Sequence, residues 1–311
     1  MGRRRDRSRR HPDRVGAEHL GELERPHLRV APRRLPYVGL EEQPMSEHIL
    51  IQREGPAVRV VLNRPEKRNA FNGQTIDELM AAFTALSEDE ETRVIILAAE
   101  GKTFCAGADL SWMRELAMSG QSNNDEGARR MAGLFGLIDQ CRKPVIARVH
   151  GATIGGGTGI VAACDIPVAS AGAKFGFSEV RLGLAPAVIS PYVVARIGTM
   201  AARELFVTGE RFGADRARSI GLVNYVEEDD AALDARIEQL VGAILQGAPQ
   251  ASVACKDLAR TVHTMTLPDA FEKTSALIAQ LRSSEEGQEG MMAFLSRRKA
   301  AWVPQTPGDD A

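Results

Sequence analysis

Twice in this sequence glycine collects where a buried strand must hand over to a helix, and that restricts what the chain can build. The first place is Gly101-Lys-Thr-Phe-Cys-Ala-Gly-Ala-Asp-Leu110, after the apolar run RVIILA at 93–98 and before an amphipathic stretch with Leu110, Met113 and Leu116. The second is His150-Gly-Ala-Thr-Ile-Gly-Gly-Gly-Thr-Gly159, between VIARV at 145–149 and the apolar IVAAC that follows. A strand that turns into a helix on glycine presents unpaired backbone N–H groups at the positive end of the helix dipole. Two such ends facing each other make an oxyanion hole, in which each donor contributes about 3–4 kcal/mol to a transition state. Spacing alone equally admits two glycine-lined packing turns. Neither segment fits a GxxxxGK[ST] phosphate loop, and no GxGxxG fingerprint occurs, so nucleotide chemistry is not the lead.

A third segment, Phe175-Gly-Phe-Ser-Glu179-Val-Arg181-Leu-Gly-Leu-Ala-Pro186, sets one carboxylate among apolar residues just before a Gly/Pro turn. Desolvation there raises its pKa, as a general acid/base requires. The plainer reading is an ion pair between Glu179 and Arg181.

The 311 residues carry 44% hydrophobic and 26% charged side chains with a net charge of −2, the balance of an ordinary soluble globular protein. That charge gives no general attraction to nucleic acid or acidic membranes, and no apolar run reaches the roughly 20 residues a bilayer span needs. Cys105, Cys141, Cys164 and Cys255 are too irregularly spaced for a zinc site or a disulfide framework. Cys105 and Cys164 read as core residues, and a reducing cytoplasm is the expected setting. Residues 1–44 are Arg- and Pro-rich without apolar period, which predicts a disordered extension or a start codon assigned too far upstream of Met45. A basic nucleic-acid arm and a transit peptide are the sharper alternatives there.

From residue 46 onward the pattern predicts a hairpin (48–53 and 57–62), a polar turn at 63–68, and a helix capped by Thr75. Strands follow at 93–98, 144–149, 165–169 and 222–226. Helices are predicted at 231–245, 251–263, 267–281 and 291–298. Strands alternating with helices predict an α/β fold. The division is a catalytic core over 45–245, a helical region over 246–302 and a flexible tail at 303–311.

In this order the segments resemble the enoyl-CoA hydratase/isomerase (crotonase) superfamily: NRPEKRNAFN at 63–72, FCAGADL at 104–110, HGATIGGGTGIVAACD at 150–165, FGFSEVRLGLAPA at 175–187 and EGMMAFLSRRKA at 289–300. The resemblance covers about residues 46–302. It implies a spiral of ββα turns with a C-terminal helical trimerisation region, assembling as a homo-trimer or dimer of trimers. It implies an acyl-CoA thioester as substrate, with no metal and no cofactor beyond the CoA that the substrate brings; the charge and the apolar runs, for their part, predict no membrane partner and do not favour a nucleic-acid one. Carried over by motif, the oxyanion donors are the backbone amides of Ala108 and Gly156, and Glu179 is the acid/base. Arg68, Asn69, Ala70, Ala106, Gly107, Asp109, Leu110, Gly155, Ser178 and Arg181 surround the CoA and thioester. Phe294 and Lys299 reach toward the nucleotide end, in this or a neighbouring subunit.

One departure stands out. Two-glutamate hydratases carry a glutamate where this chain has Gly159, and glycine transfers no proton. The stretch Ser178–Pro191 looks most like bacterial methylglutaconyl-CoA hydratases and their isohexenylglutaconyl-CoA relatives, from leucine and acyclic-terpene breakdown. The expected reaction is hydration of 3-methylglutaconyl-CoA or a related branched enoyl-CoA by a single glutamate. Arg181 and Arg114 are the candidates for a second substrate carboxylate. The alternatives are a Δ3,Δ2-enoyl-CoA isomerase, a thioesterase or decarboxylase of the same fold, an RNA-binding protein and an inactive scaffold.

Overall fold

The computed structural model describes residues 48–304; the expectations for 1–44 and for 305–311 lie outside the described residues. The hairpin forms as expected from β1 (Ile49–Glu54) and β2 (Ala57–Leu62), closing on the pair Glu54↔Ala57. Helix α1 (Gly73–Glu88) starts earlier than predicted. Its cap is Asn72, whose side-chain oxygen accepts from the Thr75 amide at 3.0 Å, while Thr75 itself is buried. Asparagine is the stronger cap and reaches the third amide of the helix from there.

Strands β3 (Val94–Ala99), β5 (Val145–Val149), β7 (Ile166–Ser170) and β10 (Tyr225–Glu227) extend the hairpin into a six-stranded sheet ordered β1-β2-β3-β5-β7-β10. Strand β10 begins later than 222, because Leu222 and Val223 sit in the core with their amides on the carbonyl of Ala217. Along β3, Ile95 and Leu97 enter the main core, while Val94 and Ile96 pack against Leu233 and Ile237 of α7 (Asp230–Gln246). A parallel sheet covered on both faces reads as a continuous apolar run, which RVIILA is.

A second sheet went unseen in the sequence: β4 (Thr103–Cys105), β6 (Ala152–Ile154), β8 (Lys174–Gly176) and β9 (Arg211–Gly213), in that order. The first three are parallel, and β9 runs antiparallel to β8. Each long strand is followed by a short one and then a helix: β3-β4 by α2 (Leu110–Met118) and α3 (Gln121–Asp139), β5-β6 by α4 (Gly156–Ala163), and β7-β8 by α5 (Ser190–Thr208). These are the expected ββα turns. Helices α6 (Ala214–Ser219), α8 (Pro249–Thr261), α9 (Leu267–Ser283) and α10 (Glu285–Leu295) complete the described chain.

Because β4, β6 and β8 are parallel neighbours, the chain leaves all three at one edge. Residues 106–110, 155–156 and 177–179 are thereby set side by side at the carboxyl ends of strands, where open α/β sheets bind their ligands.

Candidate active site

The two glycine segments meet through a contact that admits no side chain. Gly107 has φ 92°, and a Cβ there would stand 2.8 Å from the Ile154 carbonyl oxygen and 3.3 Å from the Gly156 nitrogen. A Cβ on Gly156 would overlap the Phe71 ring, and one on Gly157 would stand 2.5 Å from the Cys105 carbonyl oxygen. Phe71 fixes the other segment: its amide donates to the Gly107 carbonyl and its carbonyl accepts from Asp109, both at 2.9 Å. These bonds occupy the Gly107 carbonyl and the Asp109 amide and leave the N–H of Ala108 over. Gly156 opens α4, where a helix leaves its first N–H groups without an internal acceptor. Among the described residues neither the Ala108 nor the Gly156 amide has a hydrogen-bond acceptor. The pair has the makings of an oxyanion hole at the positive end of a helix.

Behind this pair the loop at 64–70 is tied to the backbone. Asn69 is 2% exposed; its side-chain nitrogen donates to the carbonyls of Glu100 (2.8 Å) and Thr103 (2.7 Å), and its oxygen accepts from the Arg64 amide (2.8 Å). The Cys105 thiol donates to the Asn69 carbonyl at 3.1 Å and accepts from the Gly107 amide at 3.4 Å. Burial pushes that thiol up to about 12, so it stays protonated and serves as a brace, in keeping with a core residue.

Glu179 begins a single 3-10 turn (Glu179–Leu182) after β8. A Cβ on Gly155 would stand 3.0 Å from its Oε1, so the carboxyl lies directly over the residue preceding α4. Its Oε2 is buried without a hydrogen-bond partner, and burial pushes its pKa above the ordinary glutamate value. The ion pair with Arg181 is not formed: the Arg181 side chain lies along the turn at Gly209, its Nε 3.2 Å from a Cβ placed there.

The position of the missing glutamate is occupied. A Cβ on Gly159 would overlap Ile189 and stand 3.2 Å from a ring carbon of Phe135. Space that a second carboxylate needs is filled by hydrocarbon.

Ala108, Gly156 and Glu179 border one cavity of about 830 Å³. Arg68, Ala106, Gly107, Leu110, Gly155, Ser178 and Arg181 line it with them. Three residues predicted to touch substrate do not line it. Asn69 is spent on the backbone bonds above. The carbonyl of Ala70 accepts from Arg64 at 2.5 Å. Asp109 caps α2 through the Ser111 amide and stands 3.6 Å from Arg64. Arg114, Phe294 and Lys299 are also outside the lining. Sequence reading missed Arg211 and Ile189, which do line it. Arg211 arrives through the antiparallel pairing of β9 with β8, and nothing in its local sequence signals that.

The sequence profile of the enoyl-CoA hydratase/isomerase family matches residues 53–305. The chain belongs to that family. It is an enzyme of the crotonase superfamily with the crotonase-type α/β fold. A crotonyl-CoA hydratase of Syntrophomonas wolfei is 32% identical over 83% of this chain and 98% of its own length. A mevalonyl-coenzyme A hydratase of Aspergillus fumigatus is 35% identical over 85% and 98%. The crystal structure of an enoyl-CoA hydratase from Shewanella pealeana superposes with a TM-score of 0.80 at 36% identity, covering 83% of this chain and 97% of that one. Among the described residues no helix is long and apolar enough to cross a membrane.

Proposed function

We propose that this enzyme adds water to a 2-enoyl-CoA, with Glu179 as its single acid/base. The observation that carries the reading is the Glu179 carboxyl lying over Gly155 with its Oε2 buried and unpartnered, one residue from the free amide of Gly156. The thioester oxygen is held between the Ala108 and Gly156 amides, which draws electrons from the conjugated alkene. Glu179 takes a proton from water as the oxygen bonds to the β-carbon. The electron pair of the alkene passes to the thioester oxygen as an enolate, where the two amides stabilise it. Glu179 then returns the proton to the α-carbon, and the hydrocarbon at Gly159 leaves that task to no other carboxylate. Relatives named as hydratases support the reaction class. Every step is a proton transfer or an addition, so no cofactor is needed beyond the CoA of the substrate.

The finer reading is 3-methylglutaconyl-CoA or a related branched enoyl-CoA, supported by the resemblance of 178–191 to that branch. A homo-trimer or dimer of trimers belongs to the same proposal, supported by the apolar side chains exposed on α9 and α10. A cytoplasmic setting suits four free cysteines.

The test is to incubate the wild-type enzyme and Glu179→Gln with 3-methylglutaconyl-CoA and crotonyl-CoA and follow products by mass. A gain of one water, lost in the variant, is the expected result. A shifted double bond without gain of water would replace the hydratase with a Δ3,Δ2-isomerase.

A further inference from the structure

The helix that carries the Gly156 amide is held from its far end by one side chain. Arg196 of α5 commits all five N–H donors of its guanidinium to fixed acceptors. Its Nε donates to the Leu222 carbonyl at 3.0 Å. Nη1 donates to the carbonyls of Ala162 (3.4 Å) and Cys164 (2.5 Å), and Nη2 to the Asp165 carbonyl (3.2 Å) and the Asn224 side-chain oxygen (2.8 Å). Ala162 lies in the last turn of α4 and Cys164 is its cap, where a helix leaves carbonyls without an internal donor. The Cys164 amide serves Ile160 and Val161, and Arg196 takes carbonyls further on. Burial pushes its pKa below the ordinary arginine value, a cost that the five acceptors offset.

Helix α4 reads Gly-Gly-Thr-Gly-Ile-Val-Ala-Ala, and Thr158 apart its side chains carry no polar atom. Apolar contact is non-directional, so it spaces α4 from its neighbours but defines its place along its own axis loosely. Directional bonds do that at the two ends. At the amino end the Gly155 amide donates to the Gly176 carbonyl at 2.8 Å, and the Thr158 hydroxyl to the Thr153 carbonyl at 2.7 Å. Arg196 is the counterpart at the carboxyl end. What it grips there is itself fixed: the Asp165 amide donates to the Val145 carbonyl at 2.9 Å, and the Asp165 carboxylate accepts from the Val145 amide at 2.7 Å. Eight residues make a rod of about 12 Å, and tying both ends sets its position and tilt.

We propose that Arg196 is a positioning residue for the reaction: through α4 it sets how far the Gly156 amide reaches toward the thioester oxygen. The proposal rests on the hydratase reading above, in which that amide is one of two oxyanion donors. A misplacement of about 1 Å in an active site costs about 10²-fold in rate, so α4 need slip only that far to matter. The guanidinium also sets a positive charge at the negative end of the α4 dipole, whose positive end faces the developing enolate.

Butyryl-CoA is saturated and takes up no water, so its bound carbonyl reports the hole without turnover. Hydrogen bonds to that carbonyl lower its stretch in infrared difference spectra. Wild type is expected to hold the stretch below that of free butyryl-CoA. Arg196→Lys, whose three donors cannot serve five acceptors, should return it toward the free value. On crotonyl-CoA the same variant loses about 10–100-fold in kcat with KM little changed, the mark of an interaction made in the transition state. Ethylguanidinium, which replaces the missing atoms, should restore both readings in Arg196→Ala; where that variant does not fold, Arg196→Lys decides. Asn224→Ala removes an acceptor away from α4 and should lower stability while leaving stretch and kcat as in wild type. A folded Arg196→Lys with the stretch and kcat of wild type overturns the proposal and leaves the hydratase reading standing. So does an equal shift in Asn224→Ala, which marks general loosening. No lowering of the stretch in wild type itself removes the oxyanion role of the amides, and this proposal falls with it.

Discussion

The carboxyl ends of β4, β6 and β8 and the helices α8–α10 obey opposite rules of construction. At the strand ends a Cβ on Gly107, Gly156, Gly157 or Gly159 meets an atom already in place. In α8 and α9 no residue is buried and in α10 only Ala293 is, whereas α1 alone buries six. Leu267 is 84% exposed and Phe294 83%. The geometry of the first region is therefore dictated by this chain's own atoms. The second region leaves Leu267, Phe271, Ile278, Met292, Phe294 and Leu295 exposed, side chains that the proposed trimer would cover. Chemistry is thus placed where the chain is over-determined, and association where it is under-determined.

Changing Glu179 to Gln should sharpen that contrast most. Turnover of an enoyl-CoA should fall about 10²–10⁴-fold, the range of a lost general acid/base, with the fold intact by circular dichroism. Because burial raises its pKa, the acid limb of kcat/KM in the wild type should lie above the ordinary glutamate range. The stability effect has the opposite sign. A raised carboxyl pKa favours the folded state below the unfolded value, and that contribution is lost as pH rises through the folded value. Melting curves should therefore show Glu179→Gln equal to or more stable than wild type at neutral pH, with the gain shrinking in acid.

Gly156→Ala breaks the contrast from the other side. Its methyl group meets Phe71 and displaces the amide, so kcat should fall about 10²–10³-fold and stability by about 1–3 kcal/mol. A variant with normal kinetics would show that the Gly156 amide is not an oxyanion donor. Asn69→Ala orphans three backbone groups and should cost about 3 kcal/mol in denaturant unfolding, with a smaller loss of rate than at Glu179. Leu267→Gln and Phe294→Gln should change the stability of the isolated subunit by no more than about 0.5 kcal/mol, while lowering the sedimenting mass. An unchanged mass in both would mean that this surface does not hold copies together.

The glycine motifs were legible because a left-handed φ or a backbone contact closes a position to every other residue, and that leaves a mark in single letters. Glu179 was legible because a charge among Phe175, Phe177 and Pro186 needs a reason. Asn69 and Asp109 turn to the backbone and not into the cavity, and sequence could not show this, since a polar residue beside a site looks the same whether it faces the ligand or the backbone. The strands β4, β6, β8 and β9 have three residues each, too few to show a period. Ile189 carries no chemistry of its own, and only the contact with Gly159 reveals what it excludes.

That contact also governs how this site can change over generations. A glutamate introduced at Gly159 has no space while Ile189 stands against it, so the single substitution yields a damaged fold rather than a second proton donor. A lineage could reach a two-carboxylate site only by first shortening Ile189, a step that opens a void and by itself confers nothing. The two positions are locked in order, and the proposed one-carboxylate chemistry would be kept as much by the route out of it as by its own merit.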